Sequence, residues 1–312
     1  VGAITIGELG EFGLIALITQ NLTQGPEVDL GPGDDAAVVR TPDGRVVATS
    51  DLLVEGRHFR REWSSGYDVG RKAAAQNLAD VAAMGARPTA LLVGFAAPPE
   101  TPVTWAVQLC AGLRDECDLV GASVVGGDVV RAPVITLAIT ALGDLSGARP
   151  LTRSGARPGD VVAVRGRLGF AAAGLELLSR GAPEPSADAA ELIAAHRRPR
   201  PPYAAGPEAV RLGATSLLDV SDGLVQDLGH IAAASGVRVE LDSAALPVPA
   251  ALGPEGLHHV LTGGDDHAFA GTFPPETALP AAWRVIGRVA EGTGLVVDGR
   301  PYGAGGWDHF RE

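Results

Sequence analysis

Residues 67–84 form an alanine-rich stretch without proline, followed by Gly85-Ala86-Arg87-Pro88 and then by the apolar run 89–97. The first stretch predicts a helix, because alanine and straight-chain residues lose little side-chain freedom there. Gly and Pro end it, and the run beyond predicts a buried strand. A long helix leading at once into a buried strand confines the chain to architectures in which helices cover a sheet. Residues 105–119 predict the next helix, 122–125 a short strand running into the Gly126-Gly127-Asp128 turn, and 133–143 another strand. The runs 36–39 and 46–49, separated by Thr41-Pro42-Asp43-Gly44, predict a hairpin that would bring Asp35 and Asp51 near each other. Hairpins imply a mixed sheet, and residues 8–18 carry apolar positions at the spacing of one further amphipathic helix.

A chain of 312 residues exceeds what one hydrophobic core usually serves. The polar segment around 145–150 is the expected boundary. It divides the chain into an N-terminal domain, 1–146, and a C-terminal α/β domain, 147–312. The second half predicts strands at 161–164, 216–220, 237–241 and 268–273, with a helix at 224–235 between two of them. Residues 183–185 and 196–202 read as proline-rich surface connections. The expected fold class is therefore α/β (α+β), with two domains, each a mixed β-sheet covered by helices. Aromatic residues make up only 4% against 46% hydrophobic, so small side chains must do most of the packing.

Charge excludes several functions. At −12 net, the chain has no basic stripe for a nucleic-acid backbone or an anionic membrane. No apolar run approaches membrane-spanning length, and a cytoplasmic protein is expected. Cys110 and Cys117 lie seven apart in a helix-like stretch, roughly 10 Å between Cα atoms, too far for a disulfide. They read as reduced core thiols.

Acidic segments recur beside glycine or at the ends of apolar runs: Gly33-Asp34-Asp35, Thr49-Ser50-Asp51, Asn77-Leu78-Ala79-Asp80, Gly126-Gly127-Asp128, Asp219-Val220-Ser221-Asp222-Gly223 and Gly263-Gly264-Asp265-Asp266. Each alone is ordinary turn chemistry. Together they form a field of hard oxygen ligands of the kind Mg²⁺ prefers. No P-loop is present, and Lys72, the sole lysine, lies in the predicted helix 67–84, which excludes the lysine-on-strand arrangement of protein kinases. Carboxylates repel phosphate unless a divalent cation lies between them, so a polyphosphate ligand requires Mg²⁺ here.

These segments, with His58-Phe59, Leu151-Thr152-Arg153-Ser154-Gly155-Ala156 and Trp307-Asp308-His309-Phe310, resemble thiamine-monophosphate kinase in this order along nearly the whole chain. Several blocks are shared with the wider aminoimidazole-ribonucleotide-synthetase superfamily. The 151–156 block and the terminal Asp-His-Phe point to the kinase branch. The resemblance implies ATP-dependent phosphorylation of thiamine monophosphate to thiamine diphosphate with several Mg²⁺ ions, ATP as co-substrate, and a homodimer built through the N-terminal domains. It further implies that Asp35, Thr49, Ser50, Asp51, Asp80, Asp128, Asp219 and Asp222 hold the ions. Gly127, Asp128, Arg153 and Ser221 would contact ATP, and His58, Asp265 and Trp307 the thiamine phosphate. The sequence departs from the family at Asp265-Asp266-His267, where a Glu-Asp-Tyr type is commoner. No general base is expected, since the acceptor phosphate is already ionised and the task is to align two anions. The alternatives are another ATP-dependent enzyme of the superfamily, of ribonucleotide-ligase or selenophosphate-forming type, or a Mg²⁺-nucleotide-binding regulator without turnover.

Overall fold

The computed structural model describes residues 4–32, 36–181 and 186–302. The chain divides into two compact units, one of residues 1–81 and 86–147, the other of residues 82–85 and 148–312. Both are α/β, with helices laid on mixed sheets.

In the first unit the order is α1 (Ile6–Leu9), α2 (Glu11–Thr19), β1 (Val28–Leu30), β2 (Val38–Val39), β3 (Val47–Val54), α3 (Gly66–Ala83), β4 (Arg87–Ala97), α4 (Val103–Asp118), β5 (Ser123–Arg131) and β6 (Thr136–Asp144). The single helix expected over 8–18 is broken in two. Gly10 adopts φ 76° and ψ 165°, which no helix contains, and its N–H closes α1 on the Ile6 carbonyl. The main sheet runs β3-β6-β4-β5, with β4 and β5 parallel and the other pairs antiparallel.

The expected hairpin between 36–39 and 46–49 does not form. The Thr41–Gly44 turn is present, closed by Gly44 N–H on the Thr41 carbonyl at 3.0 Å. β2 nevertheless pairs with β1, and β3 pairs along eight residues with β6. The longer ladder buries Leu53 against Leu137, a gain that a short hairpin exposed to solvent lacks.

Helices α3 and α4 cross so closely that side chains are excluded from the contact. A Cβ on Gly70 would stand 2.1 Å from the Leu109 carbonyl oxygen, and one on Gly112 2.2 Å from that of Tyr67. Leu78, Ala79 and Val81 of α3 are fully buried, as are Leu91, Leu137 and Ile139 of the sheet. Both cysteines lie on α4 as free thiols. Burial pushes Cys110 up to about 12 and raises Cys117 as well.

The second unit contains β7 (Val161–Arg165), α5 (Phe170–Ser179), α6 (Ala187–Arg197), α7 (Ala205–Arg211), β8 (Ser216–Val220), α8 (Leu224–Ser235), β9 (Arg238–Leu241), α9 (Gly256–Thr262), β10 (Ala268–Phe273), β11 (Arg284–Ala290), β12 (Gly294–Val297) and β13 (Arg300–Pro301). Its sheet runs β13-β12-β9-β11-β7-β10-β8, antiparallel except where β12 meets β9. Val162, Val164, Val220, Ala270 and Ile286 of the sheet meet Leu224, Leu228 and Ile231 of α8 in one core. The proline-rich region is less superficial than its composition suggests. His196 is buried at the end of α6, and Pro199 and Pro201 are buried beyond it.

Candidate active site

β3 is an edge strand, so half of its backbone donors face away from β6. Asn77 of α3, fully buried, meets one of them. Its Oδ1 accepts from the Asp51 N–H at 3.1 Å, while its Nδ2 donates to the Ala73 carbonyl at 2.9 Å. One turn along the helix, Asp80 Oδ2 accepts from the Thr49 hydroxyl at 2.8 Å. Gln76 Nε2 donates to Asp51 Oδ2 at 3.1 Å. The strand period of two and the helix period of 3.6 thus bring Thr49, Asp51 and Asp80 together, held by two amides.

Ser50 points the other way. Its hydroxyl donates to the Ile139 carbonyl at 3.0 Å and accepts from Thr140 at 3.2 Å. Asp51 is in register with Ile139, Val93 and Gly127 across the sheet, and Asp128 occupies the next row beside Gly94. Successive rows face opposite sides, so Asp128 shares the open face with Ser50. Three strand spacings, roughly 14 Å, separate Asp51 from Gly127. Gly126-Gly127-Asp128, expected as a turn, is the interior of β5 instead, just past a register shift. A Cβ on Gly127 would lie 1.9 Å from the Val93 carbonyl oxygen, so glycine is required there by the neighbouring strand.

His58 is half-buried just beyond β3, and its Nδ1 accepts from the Val54 N–H at 3.0 Å. That bond leaves Nε2 as the donor nitrogen in the neutral ring. Asp35 and Trp307 lie outside the described residues.

In the second unit, β8 ends by delivering buried Asp219 and the chain turns through Ser221-Asp222-Gly223 into α8. Asp227, in the first turn of α8, accepts from the N–H groups of Asp222 and Gly223, both at 3.0 Å. Gly223 has φ 133°, and a Cβ there would meet the Thr262 carbonyl oxygen at 2.6 Å. The turn before β10 is fastened onto this one. Asp265 N–H donates to the Ser221 carbonyl at 2.8 Å and His267 N–H to that of Val220 at 3.0 Å. Both residues hold left-handed backbones, φ 66° and 51°. His267 Nδ1 lies 2.9 Å from Asp219 Oδ2. Asp266 points elsewhere, its Oδ1 accepting from the Ala171 N–H at the start of α5 at 3.0 Å while its buried Oδ2 has no hydrogen-bond partner among the described residues.

Two carboxyls here are strongly shifted. Burial pushes Asp266 up to about 7 against the pull of the Ala171 and Gly169 amides. Asp227 is also pushed up to about 7, by burial first and then by the negative charge of Asp219, while its two backbone donors pull the other way. Arg153 is exposed on the loop before β7. That loop is pinned by Ser235, whose hydroxyl donates to the Arg153 carbonyl at 2.9 Å and accepts from Gly155 and Ala156 N–H.

Among the described residues, no three His, Cys, Asp or Glu side chains converge into a ready-made metal cage. Mg²⁺ does not need one. It usually keeps several waters and takes one or two carboxylates plus phosphate oxygens from a substrate. The donor sets present suit it: Thr49, Asp51 and Asp80 offer hard oxygens, and the carboxylates of Asp219 and Asp222 stand near enough to Asp227 for their charge to add to the burial that raises it.

Gln76, Asp227 and His267 join these clusters; nothing local in the sequence singles out Gln76 or His267. For Asp227 a local signal exists, an acid in the first turn of a helix whose N-cap is glycine, where a carboxylate can take the orphaned N–H groups.

The fold and the acidic strand ends define a class. The AIR synthase related protein N-terminal domain family matches residues 33–145. Over the whole chain the match narrows. Thiamine-monophosphate kinase of Mycobacterium tuberculosis is 48% identical over 318 residues, covering 99% of this chain and 94% of that protein. A solved thiamine-monophosphate kinase from Stenotrophomonas maltophilia K279a superposes with a TM-score of 0.81 at 34% identity, covering 93% of this chain and 95% of its own. The solved complex of AaThiL with AMPPCP and TMP gives 0.82 at 35% identity, covering 97% and 98%. The chain belongs to the thiamine-monophosphate kinase family.

Proposed function

We propose that this chain transfers the terminal phosphoryl group of ATP directly, in line, to the phosphate of thiamine monophosphate. A phosphate oxygen of the acceptor forms the new P–O bond as the bond to ADP breaks, giving thiamine diphosphate. One arrangement supports this reading above others: Thr49, Asp51 and Asp80 converge under Asn77 and Gln76 in a chain matched along 99% of its length by a kinase of that name.

The acceptor oxygen is already anionic, so no side chain has to remove a proton. What the residues must do is hold two anions in line. Asp35, Thr49, Ser50, Asp51, Asp80, Asp128, Asp219 and Asp222 are the proposed Mg²⁺ ligands. Several Mg²⁺ ions, when bound, neutralise the phosphates. Gly127, Asp128, Arg153 and Ser221 are assigned to ATP. Gly127 lets the nucleotide approach bare backbone, and the Arg153 guanidinium gives a fork for phosphate oxygens. His58, Asp265 and Trp307 are assigned to the acceptor. The Nε2 donor of His58 suits a phosphate oxygen.

The same reading gives residues 1–146 the larger share of the Mg²⁺ ligands and the dimer contact, and residues 147–312 the remaining ligands. A homodimer is supported by the open face of the first unit's sheet, where Leu52 of β3, Leu92 of β4 and Val130 of β5 are exposed. A cytoplasmic location belongs to it as well. Among the described residues no helix is long and apolar enough to cross a membrane.

A coupled assay of ADP release with thiamine monophosphate, free thiamine and a ribonucleotide as acceptors tests the proposal. Release proportional to thiamine diphosphate formed is the expected result. Release with the ribonucleotide alone returns the chain to the ligase branch, and none with any acceptor makes it a nucleotide-binding regulator.

A further inference from the structure

His267 is buried, with 4% of its surface accessible, and its backbone is held at φ 51°, an uncommon conformation for a residue with a side chain. Its N–H is tied to the Val220 carbonyl at 3.0 Å, and its Nδ1 lies 2.9 Å from Asp219 Oδ2. Backbone and ring thus grip consecutive residues of β8 from a turn 48 positions away. The grip is reinforced three residues earlier in the turn, against the residue that follows β8. A Cβ on Gly264 would fall 2.2 Å from the Ser221 carbonyl oxygen, so the two turns are in direct backbone contact.

A lone buried carboxylate at the end of a strand rotates about its χ2 torsion and offers either oxygen. A ring N–H fixed by its own backbone removes that freedom. It occupies Oδ2 and leaves Oδ1 as the oxygen for an incoming cation. We infer that His267 is a positioning residue that orients Asp219 for cation binding, and this rests on the proposed reading of Asp219 as a Mg²⁺ ligand. His267 itself touches neither substrate nor ion. Outer partners of this kind orient metal ligands and raise affinity without contributing a donor atom.

The inference is tested by titrating Mn²⁺ into the full chain with a non-hydrolysable ATP analogue present, reading free Mn²⁺ from its electron paramagnetic resonance signal. Wild type is compared with Asp219→Asn, His267→Leu and His267→Asn. His267→Leu is expected to raise the Mn²⁺ dissociation constant about 10-fold to 100-fold, the range typical of losing an outer partner. His267→Asn places an amide N–H near the position of Nδ1 and tolerates a left-handed backbone, so it is expected to restore most of the affinity. A purely structural role would lower the melting temperature of the metal-free variants and leave Mn²⁺ affinity alone. If Asp219→Asn binds Mn²⁺ as wild type does, the ligand reading of Asp219 fails and the inference with it. Should Asp219→Asn lose affinity while His267→Leu keeps it, only the inference is overturned. Where His267→Leu does not fold, the ring ¹⁵N resonances of wild-type His267 replace it. They are expected to move when Mg²⁺ and the analogue are added, and resonances that stay in place overturn the inference.

Discussion

The Thr49 hydroxyl donates to Asp80 Oδ2 across 2.8 Å and ties the edge strand β3 to helix α3. A bond to a carboxylate is stronger than one between neutral groups. Thr49→Val keeps the shape and removes the donor, so unfolding in urea without metal is expected to lose about 1 to 2 kcal/mol. The Mg²⁺ concentration giving half-maximal activity should rise in parallel, because Asp80 is no longer oriented. Unchanged Mg²⁺ dependence would separate the bond from the active site.

Asp51 stands with its backbone N–H on Asn77 and one carboxylate oxygen on Gln76, so backbone and side chain are each fixed by an amide of α3. Asp51→Asn preserves size and most contacts while removing the charge that a cation requires. Turnover is expected to be lost at every Mg²⁺ concentration, with far-ultraviolet circular dichroism and melting temperature close to wild type. Normal kinetics at saturating Mg²⁺ would rule Asp51 out as a ligand.

Activity should require Mg²⁺ in excess of ATP. The ion carried by the nucleotide leaves the acceptor phosphate and the two carboxylate clusters without compensation. Titrating Mg²⁺ at fixed ATP checks this, and full activity at one equivalent contradicts it.

Burial holds the Asp266 carboxyl at about 7, against an ordinary value of 3.8. Between those values the folded chain keeps a proton that the unfolded chain has released. Stability from this group is therefore complete below about pH 4 and falls as pH rises to about 7, at about 1.4 kcal/mol per pH unit. Asp266→Asn stays neutral throughout and can still accept from Ala171. Urea midpoints measured at pH 5 and pH 8 with a chelator present should fall more for wild type than for the variant; an equal fall assigns the pH dependence to other groups.

Thiamine monophosphate should be a good acceptor and free thiamine a poor one, because the proposed Mg²⁺ ligands and His58 can grip only an acceptor that already carries a phosphate. Trp307→Ala should weaken acceptor use by roughly 1 to 3 kcal/mol, the scale of an aromatic stack, and spare the Michaelis constant for ATP. Equal rates with both acceptors would remove the assignment of His58, Asp265 and Trp307.

Local chemistry made much of this protein legible from sequence alone. The α3 helix, the β4 strand after Gly85-Ala86-Arg87-Pro88, and the strand–turn–helix at 216–235 follow from periodicity and from residues that stop a helix, and both signals lie within a few positions of the elements they specify. The three-and-four spacing that puts Asn77 and Asp80 on one face of α3 is equally local. Which strand pairs with which is not. β3 passes over the nearby run 38–39 for β6, about ninety positions away, because the longer ladder buries more apolar surface. The same non-local contest made Gly126-Gly127-Asp128 a strand interior beside β4, required Gly127 through the Val93 carbonyl, and divided Ser50 from Asp51 between two faces. It also brought His267 to Asp219. Propensity and motif are properties of neighbours in the chain, whereas partners are chosen by burial and register between distant segments, so only the tertiary structure could decide them.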